Sequence, residues 1–136
     1  MASYLGITFN HAKDENFKGF LDNLGIPPQV ADAWLQSKPS PKLEKDGDSY
    51  IATTTDQNGE KKVLTFKSGV EFDEEILPGV TAKTTFTVEP EVAIQVQTFP
   101  DGRSITYRRE YSGKDLVVVL TVSSWDGSAK RYYKAE

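Results

Sequence analysis

The chain has 136 residues and a mass of 15.1 kDa, enough for one domain and too little for two ordinary ones. It carries no cysteine, a single histidine (His11) and a net charge of −4. Those counts exclude disulfides, thiolate nucleophiles, zinc–thiolate sites and a histidine-rich metal centre, and they argue against a general nucleic-acid binder, which needs a basic surface.

Apolar residues are scarce. Counted with Gly and without Tyr they reach about 41 %, against the usual ~45–50 %. A globule packed with apolar side chains throughout should hold more, so a partly polar interior is expected. No apolar run approaches the ~20 residues of a membrane-spanning helix. The start, Met1-Ala2-Ser3-Tyr4-Leu5-Gly6-Ile7-Thr8, shows no secretory pattern and no Gly at position 2 for myristoylation, so a soluble cytoplasmic protein is expected.

The segment around Tyr4 to Phe9 reads as a first strand. Asp14-Glu15-Asn16 then offers helix-starting side chains, with Phe17, Phe20, Leu21 and Leu24 at i, i+3, i+4 and i+7, an amphipathic helix closed by Gly25. Pro27-Pro28 suits the first turn of a second helix with Val30, Ala33 and Trp34 on its apolar face, ended by Lys38-Pro39-Ser40-Pro41. The expected helices span 15–24 and 28–37.

Everything after them reads as strands between turns. Turn pairs fall at Asp46-Gly47, Asn58-Gly59, Ser68-Gly69, Pro78-Gly79, Glu89-Pro90, Asp101-Gly102, Ser112-Gly113 and Asp126-Gly127. Nine strands follow the helices and the first segment makes ten. Ten antiparallel strands in a meander must close or leave long edges, which predicts an all-β, ten-stranded up-and-down barrel capped by a helix-turn-helix, one domain over 1–136. A barrel wider than about eight strands encloses a cavity.

Strand parity points two arginines into that cavity. Over residues 104–111 the odd side holds Ile105, Tyr107, Arg109 and Tyr111; in the last strand Lys130 and Lys134 belong in water, which turns Arg131 and Tyr133 inward. A buried guanidinium cannot escape by deprotonation, so each requires an anion, supplied either by a protein carboxylate or by a ligand. Arg with Tyr suits a carboxylate. Thr53 and Thr55 share parity with Ile51, and Thr98 with Val92, Ile94 and Val96; these threonines are expected to face inward. The strand Leu116-Val117-Val118-Val119-Leu120 is apolar on both faces and parity leaves it unoriented. Asp73-Glu74-Glu75 lacks the ligand spacing of a calcium loop and reads as a solvated turn. Ser123 and Ser124 have no histidine partner other than His11, which reads as a surface or strand-end residue, so a hydrolytic triad is not expected.

The sequence resembles the intracellular lipid-binding proteins, the cytosolic fatty-acid- and retinoid-binding family, essentially end to end. Glu15-Asn16-Phe17 with Phe20-Leu21 is similar to the family's first-helix signature, and Lys38-Pro39 with Glu44-Lys45-Asp46-Gly47-Asp48 to its second strand and hairpin. Phe66-Lys67-Ser68-Gly69-Val70-Glu71-Phe72-Asp73-Glu74 closely matches its F-K-x-G-x-E-F-[DE]-E block, and Arg109-Glu110 and Arg131-Tyr132-Tyr133-Lys134 match its R-E and R-x-Y elements. The ending most resembles arthropod, particularly insect midgut, members. His11 in place of an apolar residue, Lys18 in place of an acid, and an extra residue near Gly6 to Phe9 depart from the pattern.

The resemblance implies a β-clam around a water-containing cavity, with a ligand carboxylate bound by Arg131, Tyr133 and Arg109. It turns Val118 and Leu120 inward, and places Phe17, Val30 and Asn58 at a portal between the second helix and the turns near Asn58 and Pro78. It implies a monomeric, non-enzymatic carrier of one or two long-chain fatty acids, with no cofactor. Retinoic-acid binding and a lipid-gated regulatory role are the alternatives. Lys13 and Lys18 near an apolar portal would give at most a weak, transient attraction to anionic membranes.

Overall fold

The computed structural model describes residues 4–77 and 79–136. Residues 1–3 and Pro78, at one of the expected turns, lie outside them. Ten strands and two helices follow in the order β1 (Phe9–Glu15), α1 (Phe17–Asp22), α2 (Pro28–Gln36), β2 (Ser40–Asp46), β3 (Ser49–Thr55), β4 (Lys61–Phe66), β5 (Phe72–Leu77), β6 (Val80–Val88), β7 (Val92–Thr98), β8 (Ser104–Ser112), β9 (Asp115–Val122) and β10 (Ala129–Ala135). Each turn signal read from the sequence separates two of these strands.

The strands pair antiparallel in two sheets, β1-β10-β9-β8-β7-β6-β5 and β2-β3-β4. The sheets meet beside β1 through a Thr8–Lys42 bridge and a Gly6 N–H to Leu43 carbonyl bond of 2.8 Å. On the other side, β4 and β5 share no ladder among the described residues; Lys62 Nζ spans the gap to Glu74 Oε2 at 2.7 Å. The barrel is therefore a clam of two sheets, with side chains closing what the backbone leaves open. Stacked rings fill one end: Tyr4 on Tyr111 at 3.7 Å and Phe66 on Phe86 at 4.2 Å.

The start of the chain differs from expectation. The first strand begins at Phe9 and runs through Asp14 and Glu15, with a bulge between His11 and Lys13. Asp14 does not cap a helix, because its carboxylate is held inside by Arg131. Helix α1 starts only after Asn16, whose left-handed backbone (φ 58°) makes the corner and whose side chain provides no cap.

Both helices are shorter than the sequence spacing suggests, yet α1 buries Phe17, Phe20 and Leu21 over β9 and β10. On α2 the inward face is Ala31, Trp34 and Leu35, while Ala33 is exposed. Gly25 joins the helices at φ +72°, and a Cβ there would lie 2.7 Å from Arg103 Nη1. That close approach lets Arg103 donate to the Leu24 carbonyl at 2.5 Å, tying the cap to the β7–β8 turn.

Candidate functional site

A cavity of about 490 Å³ lies between the sheets beneath α2, within the range of small-molecule sites. Phe17, Phe20, Trp34, Leu64, Ile76, Phe86, Val118 and Leu120 supply apolar walls; Glu74, Gln95, Gln97, Arg109, Arg131 and Tyr133 supply polar groups. A smaller, largely apolar cavity of about 190 Å³ adjoins it beyond Trp34 and Ile76, under the α1–α2 linker.

Six of the nine residues read from the sequence line the main cavity: Phe17, Arg109, Val118, Leu120, Arg131 and Tyr133. Three do not. Thr53 pairs with Lys42 and with Val63, which is 56 % exposed, so it lies on the outer face; Ala52 and Thr54 are the β3 residues that reach the cavity. Asn58 is exposed at the tip of the β3–β4 turn, its N–H donating to Asp56 Oδ1 at 2.8 Å, and Asp56 reaches the rim instead. Val30 is half-buried on α2 but does not line the cavity, where Trp34 and Ser37 do. On β7 the buried residues are Ala93, Gln95 and Gln97, so Thr98 is exposed and Val92, Ile94 and Val96 face outward. Parity sends apolar side chains inward; on β7 it inverts because the interior there holds Gln95 and Gln97, and on β3 the inward side is that of Tyr50, Ala52 and Thr54.

Arg131 is only 7 % exposed. Its Nε donates to Asp14 Oδ1 at 2.8 Å, and its Nη2 to Asp14 Oδ2 at 3.4 Å and to the Ser37 carbonyl at 2.6 Å. The guanidinium carbon lies 4.1 Å from the Phe17 ring centre, a cation–π contact shielded from water. His11 Nε2 donates to the same Asp14 oxygen at 2.7 Å, and its ring meets Tyr133 edge-on at 5.5 Å. His11 is therefore an interior residue with a side chain 9 % exposed, not a surface one. Its partner is Asp14 and not a serine; Ser123 and Ser124 bond to backbone groups elsewhere.

Arg109 is held differently. Its Nη2 donates to Gln95 Oε1 at 2.8 Å, while Nη1 is buried with no hydrogen-bond partner among the described residues. Gln95 in turn donates to Glu74 Oε1 at 3.0 Å, joined by Gln97 at 3.1 Å and Thr84 at 3.0 Å. Glu74 is 3 % exposed and forms an ion pair with Lys62. Residues 73–75 thus belong to β5 rather than to a solvated turn, with Asp73 and Glu75 outward and Glu74 inward. The signal was present: Phe72, Glu74 and Ile76 share one parity.

Burial raises the pKa values of Tyr107, Tyr111 and Tyr133, in each case against a lowering by Arg109 and, for Tyr107 and Tyr133, by Arg131. These phenols stay protonated at neutral pH and are available as hydrogen-bond donors. The cavity thus offers a cationic, donor-rich end and a long apolar wall. That combination suits an amphipathic anion.

No family model matches the chain. Fatty acid-binding protein 2 of Manduca sexta is 46 % identical over 133 residues, which cover 98 % of this chain and 99 % of that protein. The chain belongs to the fatty-acid-binding protein family. Within it, the solved structure of a fatty-acid-binding protein isolated from Manduca sexta superposes with a TM-score of 0.90 at 45 % identity, covering 98 % of this chain and all of that one. The fatty acid binding protein of Schistosoma mansoni, solved with arachidonic acid, has a TM-score of 0.89 at 26 % identity and covers 100 % of this chain and 98 % of its own. The ten-stranded clam with its two-helix cap is thus the fold of this family.

Proposed function

We propose that this protein binds long-chain fatty acids non-covalently, one or two at a time, and carries them through the cytoplasm as a monomer without altering them. One observation carries the reading: a guanidinium with an unpartnered, buried Nη1 faces a lipid-sized cavity, so the interior is built to receive an anion on an apolar body. The fatty-acid-binding names of its relatives, and the arachidonic acid bound by the Schistosoma mansoni protein, support that choice of ligand.

The ligand's carboxylate belongs at the end formed by Arg109, Arg131 and Tyr133. Its tail lies along Phe17, Val118 and Leu120, with the adjoining apolar cavity as further room. Affinity comes mainly from the tail, at about 0.8 kcal/mol per CH₂ removed from water, less the cost of ordering. The charged end selects acids over alcohols and fixes which end enters first.

Native mass spectrometry of the purified protein, followed by parallel titrations with oleate and retinoic acid, tests the reading. A co-purifying fatty acid and tighter oleate binding are expected. Preference for the rigid polyene would make it a retinoid carrier, and failure to bind either acid would end the carrier reading. Ligand recovered chemically unchanged after long incubation is the expected sign that no catalysis occurs.

A further inference from the structure

Two arginines enter the cavity, but they are not electrostatically equal. Three of the five N–H groups of Arg131 are taken, two by Asp14 and one by the Ser37 carbonyl. Asp14 lies across the Nε–Nη2 edge of the guanidinium, the arrangement a ligand carboxylate would itself adopt on an arginine. The second hydrogen of Nη2 is on Ser37, so no edge of Arg131 remains with both nitrogens available. Asp14 is also steadied from behind by His11, which donates to Oδ1. The Asp14 carboxylate and the Arg131 guanidinium thus offset each other's charge.

Arg109 has no such partner. Among the described residues it forms no ion pair: Nη2 rests on the neutral amide oxygen of Gln95, and Nη1 has no partner. The nearest acid in its network, Glu74, lies one residue further along the chain of bonds, behind Gln95. Its charge is offset by Lys62 and by donors from Thr84, Gln95 and Gln97. Among the described residues, Arg109 is thus the arginine of the cavity whose guanidinium has no acidic partner.

We propose that Asp14 is a built-in counter-ion that fills the head-group place on Arg131 and so directs the carboxylate of an incoming ligand to Arg109. Asp14 is then a specificity-determining residue: it touches no ligand, yet it decides which arginine is the anchor and how deep the head group sits. His11 is its positioning residue. This inference rests on the carrier reading above and adds to it the choice between two otherwise similar anchors.

The test is a set of titrations with oleate and with oleyl alcohol, which shares the chain and lacks the charge. Wild type is compared with Arg109→Gln, Asp14→Asn, the Asp14→Asn/Arg131→Gln pair, and the Asp14→Asn/Arg109→Gln pair. Removing Asp14 and Arg131 together keeps the buried charge balanced, so that variant keeps a folded barrel, checked by thermal unfolding. Arg109→Gln is expected to weaken oleate by about tenfold or more, the loss of a charge-assisted bond, and oleyl alcohol by much less. The Asp14→Asn/Arg131→Gln pair should lose less oleate affinity than Arg109→Gln. Adding Asp14→Asn to Arg109→Gln should recover part of the loss, because Arg131 is then freed to act as anchor.

Oleate binding that survives Arg109→Gln but collapses in the Asp14→Asn/Arg131→Gln pair would overturn the assignment. So would an Asp14→Asn/Arg109→Gln pair no tighter than Arg109→Gln alone. Wild type binding neither probe would instead defeat the carrier reading, a result distinct from either of these.

Discussion

Arg131 and Lys130 are adjacent on β10 and occupy opposite environments. Lys130 is a half-buried outer-face residue opposite Val119, whereas Arg131 is buried against Phe17, Asp14 and Ser37. Truncating Arg131 leaves the Asp14 carboxylate, itself 20 % exposed, without its cation; breaking a buried pair in this way costs about 3–5 kcal/mol, and the partial exposure puts Arg131→Ala near the lower end. Lys130→Ala should remain within about 0.5 kcal/mol of wild type, as surface substitutions usually do. Urea unfolding of the two variants measures the difference, and equal losses would contradict the account of Arg131 as an internally paired cation. Parity made Arg109, Arg131 and Tyr133 legible in the sequence because each alternates with charged or polar outward neighbours. It did not reveal Asp14 or His11, since a bulge within β1 interrupts the alternation on which parity depends. Nor could it choose between a protein carboxylate and a ligand as the anion each arginine requires. The structure gives Arg131 the first, and the ligand proposal rests on Arg109.

At the level of elements, polar contacts fasten the helical cap to the barrel, and Arg103 supplies one of them across 79 residues of chain. It leaves the β7–β8 turn, is aligned by Asp101 through an Nε–Oδ2 bond of 2.8 Å, and donates to the Leu24 carbonyl in the linker just after α1. The hydrogen bonds from Arg103 hold the Asp101 carboxyl below its ordinary range, so the alignment persists through mildly acid conditions. Under the carrier reading, a ligand entering between α2 and the β3–β4 turn, past Trp34, Ser37 and Asp56 of the cavity lining, would require the cap to yield. Arg103→Ala should therefore speed fatty-acid release and raise amide exchange in α1 and the linker, with a stability loss of only about 1 kcal/mol, typical of one hydrogen bond. Stopped-flow release of a fluorescent fatty acid measures it; an unchanged release rate would show that the tether does not restrain the cap. The strands themselves were readable from turn residues, whose backbone demands are local. The start of α1 was not, because Asp14, Glu15 and Asn16 carry helix-starting chemistry while the interior claims Asp14 for a long-range ion pair.

Across the whole molecule the apolar shortfall and the inverted parity of β7 have one cause. The barrel keeps Gln95, Gln97, Thr84 and Glu74 inside and puts Val92, Ile94 and Val96 on its outer face, so part of its apolar complement is spent away from the centre. Aromatic side chains fill much of such an interior, among them Tyr50 and the four tyrosines Tyr4, Tyr107, Tyr111 and Tyr133. Burial raises the pKa values of Tyr4, Tyr107, Tyr111 and Tyr133; Tyr4, which also faces Tyr111, Tyr50 and Glu89, is pushed up to about 12 from the ordinary value of 10.0. In the unfolded chain these phenols lose their protons near 10, while the folded barrel retains them. The unfolded state therefore binds fewer protons than the native state above that pH, and stability falls as pH rises through the window from 10 toward 12; below 10 the tyrosines contribute no slope. Each phenol retained in the fold and lost from the unfolded chain contributes up to about 1.4 kcal/mol per pH unit, so several acting together should unfold the barrel sharply. Urea midpoints at about pH 9 and pH 11, read beside tyrosinate absorbance, measure the effect. The expected result is a steep loss of stability with much of the tyrosinate signal arriving together with unfolding. Equal midpoints, or full ionisation of all six tyrosines in a still-folded protein near pH 10, would show that the polar cavity admits enough water to hydrate them.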